Sequence, residues 1–235
     1  MTFFVVKTRQ ALAKYKEAGS DNAANDFYTT FKSIAAELMP KRLASIISGE
    51  IAAFYYGFFH WKKPVLDDKT YSCHKNTGIV IVISIFIFMI LVETTVFHLV
   101  LAKWSTKAAW ILTTLSLYAA MQAFGIARSI CNRPLKITTN RLIIPYGILA
   151  ETAIDFAAIL SVTIADKSAI ANGEVKCLSP LKKIEEPNVL IRLNTTCCIE
   201  GLYGSKKPFG QLLINVDEKD AFIAQMQLLL KPFAD

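Results

Sequence analysis

Two glutamates interrupt stretches that otherwise read as apolar: Glu50 within 43–61, and Glu93 within 78–102. An ionisable side chain in a hydrocarbon layer costs about 2.5–3.5 kcal/mol on insertion scales, so each marks a proton, ligand or helix-pairing site. Glu93 stands ten residues before Lys103, about 15 Å along a helix and too deep for its side chain to snorkel to water. Two readings follow: a functional polar group, or a structural one that is protonated or hydrogen-bonded to Thr113, Thr114 or Ser116 of the next apolar stretch. His98 is a third intramembrane polar candidate, and His60 and His74 are candidates in an interfacial loop.

These residues make poor catalysts. Metal-dependent membrane oxidation needs clustered histidines, and the chain has three, none at H-x-x-H or H-x-x-x-H spacing. As helix, His98 lies about 36 Å from position 74, so those two cannot share an ion. No G-x-S-x-G, P-loop or G-x-G-x-x-G pattern is present, which leaves no nucleophile elbow or nucleotide cradle. The sequence therefore predicts no catalytic residue, no metal and no cofactor. The segment 201–210 is glycine-rich and carries Lys206 and Lys207. It reads as a turn loop with solvated lysines, or as a contact with anionic lipid headgroups worth about 1 kcal/mol per lysine.

Composition says where such groups would work. Of 235 residues, 53% are hydrophobic and 19% charged, with a mean hydropathy of +0.38; a soluble domain carries about 25% charged residues. The excess is local, since 79–92 has Ser84 as its only polar side chain and 108–127 has no charge. The net charge of +7 is weighted to the front, with nine Lys/Arg against five Asp/Glu in 1–63 and thirteen against eleven in 128–235. That distribution fits an anionic membrane surface. Without a basic block interleaved with aromatics, no nucleic-acid partner is expected. Five cysteines without C-x-x-C spacing read as free thiols, and adjacent Cys197 and Cys198 fall on opposite faces of any strand. The apolar run at 1–7 is too short for a signal peptide.

The elements that must hold these residues follow from periodicity. Residues 1–42 read as N-terminal cytoplasmic helices, with Asn25–Asp26 able to cap a stripe of Phe27, Phe31, Ile34, Ala35 and Leu38. Residues 43–63 form an interfacial, re-entrant or membrane-spanning helix, with a small-residue row at Ser45, Gly49 and Ala53 and an aromatic cluster at its end. Residues 78–127 form a transmembrane hairpin of two helices, 78–102 and 108–127. From Cys131 the pattern turns to alternating strands, and Phe222, Met226 and Leu229 stripe a terminal helix capped at Asp217. The expected fold class is an α+β membrane protein: N-terminal helices, a transmembrane hairpin, and at 131–235 a β-barrel or sandwich capped by a helix.

The run 138–147 followed by Ile154–Ile159 and Val162 resembles the opening of bacterial pleckstrin-homology-like (PH-like) domains attached to membrane helices. The chain as a whole resembles a family of uncharacterised bacterial integral-membrane proteins. The likeness rests on Glu50 through Tyr55, Tyr56 and Trp61; on Tyr71, His74 and Gly78; and on Val92–Thr94 with His98. It continues through Trp104–Ser105, 110–118, 201–204 and Val216–Asp217, with Cys73 a departure from it. The resemblance implies a multi-pass inner-membrane protein with a cytoplasmic PH-like domain, and it supplies no activity. The expected function is non-enzymatic: a membrane-anchored recognition or scaffold protein in the lipid bilayer, presenting that domain to a membrane or cytoplasmic protein partner or to anionic lipid. The alternative is an enzyme or transporter component that uses Glu50 and Glu93 within the bilayer.

Overall fold

The computed structural model describes residues 26–61, 67, 69–73, 78–165, 175–179 and 187–231. His74 lies outside the described residues, as does most of the polar loop around it. The chain is a mixed α+β structure: helices first, then a mostly antiparallel sheet, then a closing helix.

Helix α1 (Phe27–Leu38) begins as its sequence requires, with the Asp26 carboxylate accepting from Thr29 N at 3.0 Å, a bond that satisfies one orphan donor of the first turn. After Pro40, α2 (Lys41–Phe54) runs on through a wide helical turn at Tyr55–Phe59 and stops at His60. The two helices are antiparallel, since Phe27 at the start of α1 stacks on Tyr55 at the end of α2 with ring centroids 4.0 Å apart. A two-residue strand β1 (Thr70–Tyr71) precedes the hairpin of α3 (Ile79–Ala102) and α4 (Thr106–Asn132). Ser105 caps α4 by accepting from Ala108 N. Both helices are long and apolar enough to cross a membrane. Helix α4 outruns the expected apolar span by five residues, and that extra turn carries it into the sheet domain.

The sheet contains β1, β2 (Leu135–Ile137), β3 (Arg141–Tyr146), β4 (Ala150–Asp155), β7 (Val189–Gly201), β8 (Lys206–Ile214) and β6 (Lys176–Cys177) in that order, with β5 (Ile159–Ile164) paired to β7. It is not closed, since β1 and β6 end the path, which excludes a closed barrel from the two forms expected. The stretch from Ile154 to Ile164 is broken at Phe156–Ala158 by a single 3-10 turn. That corner lets β4 pair with the C-terminal end of β7 while β5 pairs with its N-terminal end. Helix α5 (Lys219–Leu230) buries Phe222 and Met226 completely in the sheet core, with Leu229 packed against it. Asp217 does not cap α5. Its carboxylate accepts from Ser72 Oγ at 2.5 Å and its backbone N–H donates to Ser72 O, which ties the segment after β1 to the end of the sheet. Cys197 packs against the core and Cys198 is exposed, the opposed faces their adjacency demands.

Candidate functional site

The helix that carries Glu50 is built inside out by the standard of a soluble protein. Its buried face is Ala44, Ser45, Ser48, Gly49, Ala52 and Ala53, all small. Its large apolar residues point outward: Leu43 is 51% exposed, Ile46 37%, Ile47 39% and Phe54 44%. In water the large residues go in, because they remove most area from solvent. Small residues inside and large ones outside is the pattern of helices that pack by close backbone approach in a medium as apolar as leucine.

Three neighbours take up the small face. Gly204, at positive φ in the 3-10 turn Leu202–Gly204, approaches Ser45, and Leu202 covers Gly49. Helix α4 meets α2 at Gly125, where an added Cβ would stand 2.1 Å from Ala53 O. Helix α1 covers the third side through Tyr28, which clusters with Ala52, Ala53, Tyr56 and Ile148. Further along, Arg128 and Asn132 of α4 donate to His60 O at 3.5 and 3.2 Å. The Arg128 guanidinium also lies 5.1 Å over the Trp61 ring.

Glu50 sits in the middle of the outward stripe, and α4 supplies its partners. Tyr118 Oη and Gln122 Nε2 both donate to Glu50 Oε2, and Gln122 Nε2 also donates to Tyr118 Oη at 2.8 Å. Tyr118 and Gln122 are four apart, hence on one face of α4. That spacing within an uncharged span was the available signal for them, and sequence reasoning missed it. The expected partnership of Glu93 with Thr113, Thr114 or Ser116 does not form. Glu93 is exposed, Thr114 donates to Trp110 O, and the bond across the hairpin joins His98 Nδ1 to Thr113 Oγ1 at 2.7 Å. His98 also meets the Trp110 ring edge-on. His60 lies at the other end, its Nδ1 3.4 Å from Tyr55 Oη. Glu50, Glu93 and His98 therefore occupy three separate places. Among the described residues no group of three His, Cys, Asp or Glu could hold a metal ion.

A buried arginine fixes this assembly to the sheet, and sequence reasoning missed it too. Arg133, one residue past α4, is 4% exposed. Its Nε donates to Asp26, its Nη1 to Gly147 O, and its Nη2 to Glu151 and to Thr29 Oγ1. The guanidinium lies 4.9 Å over the Tyr28 ring. This planar fork reaches α1, the β3–β4 turn and β4 at once, which lysine's single ammonium cannot imitate. Burial opposes the charges on both sides, yet each carboxylate and the guanidinium favour one another. Asp26 is held below its ordinary value by Arg133 despite burial, and Arg133 is held above its own by Asp26 and Glu151.

Lys206 and Lys207 open strand β8 and are exposed, where a turn loop was expected. Lys206 stands opposite Glu200 in the ladder, and Glu200 pairs with Lys32 of α1 at 2.8 Å. Burial raises the Glu200 carboxyl, but Lys32, Lys206 and Lys41 outweigh it and hold the group below its ordinary value. Lys41, exposed at the start of α2, thus shares one edge of the molecule with Lys206, two residues before Leu43 opens the outward apolar stripe. No protein-family model matches the chain, and no curated protein or solved structure matches it significantly.

Proposed function

We propose that the protein is a non-enzymatic, membrane-anchored recognition module. Helices α3 and α4 cross the bilayer, α2 lies along the headgroup boundary, and the sheet domain is held rigidly against the same leaflet. The observation that carries this reading is the inverted face of α2, which is continuous with two apolar helices and flanked by Lys41 and Arg42. An interfacial helix with cations beside its apolar face gains both acyl contact and attraction to anionic lipid.

The placement of α1 argues against a third span. Asp26 and His60 both meet the C-terminal end of α4, through Arg133 and Asn132 respectively. Lys32 of α1 is paired with Glu200 of the sheet. A crossing by α2 would drag this polar helix through the hydrocarbon beside it. Residues 26–61 and the sheet therefore share one side, and the resemblance to bacterial inner-membrane proteins makes that side the cytoplasm. The antiparallel strands closed by α5 support a PH-like use of the domain, as a surface for a protein partner or for anionic headgroups. An enzyme or transporter working through Glu50 and Glu93 together draws no support from their separation, because Glu50 is occupied by Tyr118 and Gln122.

The test is amine footprinting of the full chain in nanodiscs of phosphatidylglycerol or phosphatidylcholine. Lys41, Lys206 and Lys207 are expected to be protected in the anionic discs at low salt and labelled at high salt, since exposed charges are screened beyond about 3 Å at 1 M. Equal labelling in both lipids at low salt sinks the headgroup reading.

A further inference from the structure

We infer that the outer face of α3 is an interface with a second copy of this chain, centred on Glu93. The inference rests on the membrane reading above. The bond from His98 to Thr113 fixes which side of α3 faces α4. Glu93 is five residues earlier, about 140° round the helix, so it cannot face α4 as well. It is exposed, and it has Phe86 (57% exposed), Met89 (58%), Val96 (55%) and Val100 (53%) for company.

Those five residues alternate at spacings of three and four, with Phe86, Glu93 and Val100 seven apart. They form one a/d seam of the kind that packs two helices with a left-handed crossing. At about 15 Å from the end of α3, Glu93 is at the midplane of a hydrocarbon core about 30 Å thick. Ionisable side chains at that depth almost always face a protein neighbour, pair with one another, or line a wet cavity. Helix α4 supplies none of these to Glu93.

A second copy meets the need by symmetry. A two-fold axis along the membrane normal brings Glu93 opposite Glu93 at the same depth, whatever the tilt. A carboxyl group is its own complement: its O–H donates and its carbonyl oxygen accepts. Two such groups satisfy each other without any further polar residue. A single polar residue at one a position also sets register and oligomer state in an otherwise apolar seam. About that axis each apolar residue meets its own counterpart, Phe86 near Phe86 and Val100 near Val100, so the same surface can pack on itself.

The experiment uses the full chain in lipid bilayers. Resistance to alkaline carbonate extraction is measured first; an extractable chain overturns the membrane reading and this inference with it. In the integral fraction, energy transfer between donor- and acceptor-labelled chains is followed against protein density. Wild type and Glu93→Gln, whose amide is also self-complementary, are expected to associate alike, and Glu93→Leu to associate about tenfold more weakly. A photo-cross-linking residue at Met89 or Val96 should give a product of doubled mass, and one at Leu115 on α4 should not. An integral chain that stays monomeric at every density, or Glu93→Leu associating as well as wild type, overturns the inference. Cross-linking from Met89 to a different protein overturns the choice of a second copy.

Discussion

Gly125 is the tightest point between α2 and α4, and it offers a measurement with its own control. An alanine there would put Cβ 2.1 Å from Ala53 O, 2.6 Å from Ala53 C and 2.9 Å from Ala53 Cα. These are backbone atoms of a helix, so no rotamer can yield. A carbon and a carbonyl oxygen settle no closer than about 3.3 Å, so α2 must retreat by roughly 1 Å. Overpacking of this kind costs about 1–3 kcal/mol. It would also stretch the bonds from Tyr118 and Gln122 to Glu50. Gly57 faces the same contact from the other side, but a Cβ there meets Gly125 Cα at 3.4 Å and Phe124 Cδ1 at 3.6 Å, close to ordinary packing. Hydrogen exchange of α2 amides in nanodiscs reads the difference. Gly125→Ala should speed exchange about 5- to 150-fold, the equivalent of 1–3 kcal/mol, and Gly57→Ala should move it far less. If Gly57→Ala loosens α2 as much as Gly125→Ala, the contact is not where this reasoning puts it.

Arg133→Met keeps the stem and strands Asp26 and Glu151 beside each other without a cation. Removing one member of a buried pair costs about 3–5 kcal/mol, and α1 should detach, seen as loss of amide protection over 27–38 with the sheet core unchanged; Arg133→Lys should recover only part of it. The same latch responds to acid. Asp26 has a native value below its ordinary 3.8, so its contribution is full above that pH and is lost as pH falls through the depressed native value; α1 protection should hold at pH 5 and fail well below pH 3.8, whereas Asp26→Asn should flatten that dependence. Thr113→Val removes the partner of His98 across the hairpin, and the α3–α4 contact should weaken by about 0.6 kcal/mol, the mean for membrane hydrogen bonds, measured by unfolding in mixed micelles. With the full chain in anionic nanodiscs, replacing Lys206 and Lys207 with alanine should raise amine labelling of Lys41 at low salt and leave it unchanged at high salt; unchanged labelling at low salt refutes the headgroup contact.

The hairpin was legible because two apolar runs of sufficient length, one broken only by Glu93 and His98 among strongly polar residues, admit little else, and the terminal helix because Phe222 and Met226 recur at helical spacing. The strands were legible in kind but not in extent. Val189–Leu193 is apolar but for Arg192, whereas the rest of β7 carries no such pattern: Asn194, Thr195 and Thr196 fall where the register with β8 shifts, and Cys197–Gly201 are held by pairing with β8 and β4. Barrel and sandwich were left as alternatives because alternation reports which face of a strand is buried, not what its last edge pairs with. Glu50 and Glu93 were found as ionisable residues inside apolar stretches, and depth was read for Glu93 alone. The sequence offered both as intramembrane candidates, and only the structure separates them, one bonded within the chain and one turned outward.

Arg133 and the orientation of α2 mark the same boundary of what a sequence shows. An arginine in the run Cys131–Asn132–Arg133–Pro134 looks like any solvated cation between a helix and a strand, because its acceptors come from residues 26, 29, 147 and 151. No local window contains them. For α2 the local pattern was complete, and its sense was still open. Ser45, Gly49 and Ala53 on one side and Leu43, Ile47 and Phe54 on the other describe an amphipathic helix in which both faces are compatible with burial. Hydrophobicity ranks the large face as the inner one, and side-chain size ranks the small face as the inner one. Gly125 decides between them, since only a face of small residues can bring the α2 backbone within reach of it. Once the small face is committed to α4, the large apolar face is left outside beside two membrane-length helices. On the membrane reading proposed above, the anchor includes α2 as well as the hairpin, and Glu50 is held at its surface by Tyr118 and Gln122 of α4.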